Sequence, residues 1–278
     1  MIARRRLSTG IRAFLALLLT CLAGFPLFWI INTAMTPTTD LFQGQQKIVP
    51  DFSRTLEVFS VLTTDTPFLA WMANSAFVAF GTTLLSLLLA TLAAYALSRY
   101  KFVGKGPMGF LFFATQMLPE ALLVVPLYSL FAALGLLNQL SGLVLVNTAF
   151  AMPVALFILK SAIDNVPYEL EESARVDGCS PLSILQVMVV PLVAPSMAAA
   201  AVITFFDGWN EYLFATTFIR DRSSWVASTG LASFIGEFST PLDTVFSAAL
   251  VFTIPAVVFF LLMQRQIVSG LTAGSVKG

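Results

Sequence analysis

The chain alternates long apolar blocks with short polar stretches, and the blocks set its organisation. Six of them approach or exceed the ~20 residues that cross a bilayer as a helix, at 11–32, 71–97, 107–132, 143–162, 196–219 and 244–263. Between them lie a polar segment from Thr36 to Pro67, a basic turn at Ser98–Gly106, a short turn at Asn138–Gly142 and a loop over 163–195. A second sizeable loop, Arg220–Asp243, precedes the last block, and a short tail follows it. The pattern predicts an all-α integral membrane protein with six transmembrane helices, forming one domain over 1–278. The first block follows Arg4, Arg5, Arg6 and Arg12, and with Leu18-Leu19-Thr20-Cys21 it bears some likeness to a cleaved signal peptide. Its apolar run continues through Phe25-Pro26-Leu27-Phe28-Trp29-Ile30, long enough to span, which favours a retained first helix.

One long charge-bearing segment, Val166–Pro195, interrupts the apolar pattern. Pro167 suits the first turn of a helix, where a missing N–H costs nothing. Glu169, Glu171 and Glu172 fall near the positive end of that helix. Leu170 and Ala174, four apart, give it one small apolar strip. Gly178 reads as a left-handed stop, and Ser180-Pro181 as the cap and first position of a second helix.

Composition narrows the class. The 278 residues are 58% hydrophobic and 11% charged, against about 25% charged in ordinary soluble domains, and the mean hydropathy is +0.87. A net charge of zero argues against nucleic acid as a partner, and the lack of histidine removes the commonest metal ligand and general base. No phosphate-cradling Gly-x-x-x-x-Gly-Lys-Ser/Thr loop and no Gly-x-Ser-x-Gly elbow occurs. No bond chemistry, metal site or bound cofactor is expected of this chain. Six spans put both termini on one side. That side carries eleven basic residues: Arg4, Arg5, Arg6, Arg12, Arg99, Lys101, Lys105, Lys160, Arg175, Arg265 and Lys277. The other carries Lys47, Arg54, Arg220 and Arg222. The positive-inside bias places the termini and the Val166–Pro195 loop in the cytoplasm.

Glu172-Ser173-Ala174, Asp177-Gly178, Pro191 and Pro195 resemble the "EAA" loop of ATP-binding-cassette importer permeases, with Ser173 where the family has Ala. Asn74-Ser75, Gly81-Thr82-Thr83, Ala93-Ala94-Tyr95-Ala96 and Leu134-Gly135-Leu136-Leu137-Asn138 extend the likeness. Trp209-Asn210-Glu211 and the closing Gly270–Gly278 are similar to the smaller permease of maltose-type sugar importers. The resemblance covers most of the chain from Trp71 onward. It implies a type I ABC importer permease in the bacterial cytoplasmic membrane, with a cytoplasmic coupling helix. Glu169, Leu170, Glu171, Glu172, Ser173, Ala174, Arg175, Asp177 and Gly178 would dock on a separate ATPase. Gly270, Leu271, Thr272, Gly274 and Lys277 would make a second ATPase contact. It further implies a second, different permease, two ATPase subunits that hold ATP and Mg2+, and an extracytoplasmic sugar-binding protein that meets the Arg220–Asp243 loop.

Polar residues inside the blocks are candidates for the translocation path. Asp207, Asn210 and Glu211 fall at i, i+3 and i+4, on one face of the fifth span. A carboxylate at mid-bilayer costs roughly 2.5–3.5 kcal/mol on insertion scales, so this face should meet protein or a wet cavity. Trp209 and Tyr212 offer ring faces to a sugar. The same stripe equally suits a helix-joining role. Glu120 beside Pro119, with Gln116 one turn earlier, reads as a gating hinge or as a static packing kink. The alternatives are an importer for a non-sugar solute and an ion-coupled secondary transporter using Asp207, Glu211 or Glu120.

Overall fold

The computed structural model describes the backbone of residues 2–236 and 240–274; the side chains of residues 2–10, Asp65 and residues 268–274 are not described. The described residues form helices and loops, with no strand among them. Four helices are each long and apolar enough to cross a membrane. They are α1 (Ile2–Ala34, apolar from Ile11), α4 (Phe68–Arg99), α7 (Leu140–Asp164) and α14 (Leu242–Gly274). The short α2 (Thr38–Phe42) and α3 (Thr55–Ser60) lie between α1 and α4.

The third apolar block is two helices, α5 (Lys105–Thr115) and α6 (Glu120–Ala133), bent by 103°. Single 3₁₀-type bonds carry the chain out of α5: Gln116 N–H to Phe113, Met117 to Ala114 and Leu118 to Thr115. Extended Pro119 then caps α6. Pro126, the second expected interruption, sits inside α6 without breaking it. The fifth block also differs from a single span starting at 196. Helix resumes at Pro181, in α9 (Pro181–Ile184), a π turn at Leu185–Val189 and α10 (Val190–Leu192), and then bends by 83° into α11 (Ala194–Trp209) and α12 (Leu213–Phe218). Pro195 falls in the first turn of α11, where no helical N–H is required, and Pro191 follows directly on the π turn. The expected 163–195 loop therefore shrinks to the residues around α8 (Tyr168–Val176). Counting each bent pair as one span gives six.

The chain forms two compact units, Met1–Leu69 with Leu231–Thr253 and Ala70–Gly230 with Ile254–Gly278. In the first, Asp243 at the start of α14 accepts the Thr38 hydroxyl at 2.7 Å and pairs with Arg54 at 3.5 Å. Arg54 also holds Glu57 at 3.2 Å, and that bond keeps its guanidinium above the ordinary arginine value.

In the second unit α4, α7 and α11 approach closely through small residues. A Cβ on Gly208 of α11 would lie 2.9 Å from the Ala79 backbone of α4, and one on Gly81 would lie 2.9 Å from Val144 of α7. Two apolar clusters fill this unit. One gathers Ala94, Tyr95, Leu159, Ile163, Ala174 and Leu185 around α8. The other gathers Val78, Phe131, Leu143, Val146, Phe214 and Phe218.

Candidate functional sites: a clamped helix and a polar cavity

The segment that the sequence marks by its charge is a nine-residue helix, α8, with Pro167 just before it. Its end is a Schellman turn: Gly178 takes φ +86°, its N–H reaches the Arg175 carbonyl and the Cys179 N–H reaches Ala174, both at 3.0 Å. Ser180 then caps α9 by accepting the Ser183 N–H at 3.3 Å.

Its two faces divide differently from the expectation. Glu171 and Ala174 are buried, while Glu169, Leu170, Glu172, Ser173, Arg175, Asp177 and Gly178 are exposed. Leu170 therefore belongs to the outer face, and Glu171 is not a surface contact. Glu171 is 0% exposed. One carboxylate oxygen accepts Arg99 Nε at 2.6 Å, and the other accepts the Tyr95 hydroxyl at 2.9 Å. Arg99 Nη2 donates in addition to the Val166 carbonyl at 2.9 Å, and its side chain is only 7% exposed. Removing one partner of such a pair leaves a buried charge, which costs roughly 3–5 kcal/mol. Tyr95 and Arg99 close the last turn of α4, so a residue distant in sequence decides which of two adjacent glutamates turns inward.

On the outer face Arg175 donates to the Tyr168 hydroxyl at 2.6 Å, which raises its guanidinium above the ordinary arginine value. Ser173 turns its hydroxyl onto the Leu170 carbonyl at 2.7 Å. Tyr168, Leu170 and Val176 of α8, the last 88% exposed, and Leu182 of α9 are apolar side chains left exposed here. The tail candidates Gly270, Leu271, Thr272 and Gly274 fall in the final turns of α14, where only backbone is described; Lys277 lies outside the described residues.

The second feature is a cavity of about 540 Å³ lined by Gln116, Glu120, Asn147, Asp207, Asn210 and Glu211, with walls that include Phe150, Phe206 and Tyr212. It lies where two helix breaks meet. Asp207, Asn210 and Glu211 do not share the face of one continuous span, because α11 ends at Trp209 and Asn210 closes it through its N–H to Phe206 at 2.9 Å. They line the same cavity all the same, Asp207 from the last turn and the other two from the break.

Glu211 is engaged by its own chain: one oxygen accepts the Phe214 N–H at 2.7 Å and the Ala215 N–H at 3.4 Å, satisfying the free donors at the start of α12. The Ser228 hydroxyl donates to its carbonyl. Gln116 donates to the Phe150 carbonyl at 3.0 Å. Trp209 is placed elsewhere: it is 1% exposed, stacks on Phe205 at 5.7 Å and lines a separate apolar cavity with Met72, Phe80 and Phe259. It offers no ring to the polar cavity, whereas Tyr212 does.

Sequence reasoning passed over two cavity or loop residues. Asn147 is 4% exposed, lines the cavity and has an amide nitrogen with no hydrogen-bond partner. Asn138, at φ +61° between α6 and α7, accepts the N–H groups of Arg220 and Asp221 at 3.0 Å each, and donates its own N–H to Phe218 at 2.9 Å. The signal was present as an asparagine, the residue type that tolerates this backbone, in a short turn three residues on from Gly135.

Residues 86–272 match the family of binding-protein-dependent transport system inner membrane components, and the chain belongs to it. It is 33% identical to the trehalose transport system permease protein SugB of Mycobacterium tuberculosis, over 95% of this chain and 97% of that one. It is 33% identical to the trehalose/maltose transport system permease protein MalG of Thermococcus litoralis, over 95% of each. The diacetylchitobiose uptake system permease protein DasC of Streptomyces coelicolor is 32% identical, over 91% and 92%. Among solved structures, a chain of a bacterial ABC transporter involved in import of the acidic polysaccharide alginate superposes with a TM-score of 0.77 at 22% identity, covering 94% and 96% of the two chains. The fold is that of a type I ABC importer permease, and the chain is a multi-pass membrane protein.

Proposed function

We propose that this chain is the permease subunit of an ATP-driven importer that moves a sugar or sugar derivative into the cytoplasm, driven by separate ATPase subunits through the 166–180 helix and turn. Both termini and α8 face the cytoplasm in this reading, on the strength of the eleven-to-four basic asymmetry. The carrying observation is α8 itself. A short polar helix, fixed by a buried carboxylate and ended by a Schellman turn, presents Tyr168, Leu170 and Val176 outward. An apolar surface at a polar helix end suits a protein partner.

A sugar is supported by the relatives, whose names carry trehalose, maltose and diacetylchitobiose. The cavity suits a polyol as well. Glu120, Asp207 and Asn210 offer acceptors, Asn147 offers a free amide donor, and Tyr212 and Phe206 offer ring faces. Bond chemistry and ATP with Mg2+ belong to the ATPases. The remaining partners are a second permease and an external binding protein, which meets the Arg220–Asp243 loop; one structural neighbour was solved with an alginate pentasaccharide-bound periplasmic protein.

The test is sugar-stimulated ATP hydrolysis by the complex purified through a tag on this chain, with trehalose, maltose and diacetylchitobiose as probes. Gly178→Pro removes both the φ +86° backbone and the N–H to Arg175. Stimulation is expected to vanish while the complex still assembles. Wild-type stimulation in the assembled variant would end the coupling reading. Uptake of none of the sugars, with uptake of an amino acid, would end the sugar reading.

A further inference from the structure

Resting on the coupling reading above, we infer that Arg99 and Glu171 are positioning residues that lock α8 to the end of α4, and that α4 carries displacement between α8 and the 222–227 segment at its other end. Three observations carry this. The first is the clamp. Arg99 holds α8 at two points, the Val166 carbonyl just before it and Glu171 within it, while Tyr95 takes the second carboxylate oxygen. The clamp sits inside the cluster formed by Ala94, Ile163, Ala174 and Leu185. A buried ion pair adds little net stability over an apolar pair of the same size. What it does impose is one geometry, because a slipped register would strand both charges.

The second observation is the far end of α4. Trp71 Nε1 donates to the Arg222 carbonyl at 2.7 Å, and the Asn74 amide donates to the Ser223 and Trp225 carbonyls at 3.1 and 2.8 Å. The Ser75 hydroxyl accepts the Ala227 N–H at 2.8 Å. The Arg222 guanidinium lies 5.5 Å from the Trp71 ring centre. Both ends of one helix are therefore stapled, each to a different loop.

The third is the helix between them. Alone of the four helices long enough to span by themselves, α4 contains no proline; α1 has Pro26, α7 has Pro153 and α14 has Pro255. The remaining two spans are bent by 103° and 83°. A proline-free helix of 32 residues, about 48 Å long at 1.5 Å per residue, is the stiff element that joins the two loops.

The experiment uses the tagged complex in nanodiscs with its binding protein, loaded with whichever of the three probe sugars supports uptake. Glu171→Gln is expected to lower the stimulation of hydrolysis about tenfold. The double change Arg99→Glu with Glu171→Arg is expected to restore most of it, which a loss of packing alone would not allow. Stimulation within about twofold of wild type in an assembled Glu171→Gln complex overturns the inference. A wild-type measurement covers the case in which that variant fails to assemble. Docking of the loaded binding protein should change hydrogen exchange at 222–227 and at 168–176 together; change at 222–227 alone overturns it equally. Leu170→Arg, on the outer face and away from the clamp, separates the two readings. If it abolishes stimulation and the clamp variants do not, only the clamp fails. If it leaves stimulation intact, coupling through α8 fails.

Discussion

Asn138 shows how much one side chain can organise. Its oxygen takes two successive backbone N–H groups, of Arg220 and Asp221, its amide nitrogen meets the Asp221 carboxylate, and its own backbone sits at φ +61°. Arg220, so held, reaches the Tyr128 hydroxyl at 2.6 Å. The two roles separate by substitution. Asn138→Gly keeps the backbone and loses the side-chain bonds, each worth roughly 0.5–1.5 kcal/mol. Asn138→Ala adds the left-handed penalty of roughly 1–2 kcal/mol. Amide exchange at Arg220 and Asp221 should rise in both variants, and the melting temperature should fall further for Ala; equal melting points would mean that the backbone conformation costs nothing here. The same scale explains what sequence hid. Glu171 and Glu172 are identical as letters, and it is the Arg99 and Tyr95 side chains of α4 that tell them apart. The Gly178 turn was legible because it is local: a glycine, a cap and a proline within four residues suffice.

At the scale of elements, hydropathy located the apolar blocks but not their breaks. Composition is averaged over a block, whereas a break depends on which few carbonyls find other donors. Pro119 and Pro126 are alike in sequence, yet the chain bends only at the first, where three successive 3₁₀-type bonds already loosen α5. The break after Trp209 has no proline at all; Glu211 makes it by capping α12 with its side chain. Hence Gln116, Glu120, Asp207, Asn210 and Glu211 are legible by residue type, while the reason they meet, two breaks side by side, is not. The contrast with α4 yields a prediction at this scale. Leu84 is exposed near the middle of α4, so Leu84→Pro takes no side chain out of the core but removes one helical bond and clashes with the Phe80 carbonyl. The other long helices accommodate proline, so the complex should assemble. Stimulated hydrolysis should nonetheless drop, because the bend falls between the two stapled ends; an assembled variant with undiminished stimulation would argue that stiffness of α4 is irrelevant.

For the molecule as a whole, orientation is the property on which function turns, and it comes from charge counts rather than from any contact. Eleven basic residues against four is a strong asymmetry for a protein of zero net charge. The chain carries its own probe of that orientation. It has two cysteines, and Cys179 is exposed in the turn after α8, whereas Cys21 lies within the apolar part of α1. In a Cys21→Ser background, a membrane-impermeant maleimide should label Cys179 in inverted vesicles and leave it unlabelled in intact spheroplasts. Ser223 is exposed and uses only its carbonyl toward Asn74, so Ser223→Cys in a Cys-free background should label with the opposite preference. Labelling of Cys179 from outside would put α8 beyond reach of a cytoplasmic ATPase, and the importer reading would then fail even with the fold intact.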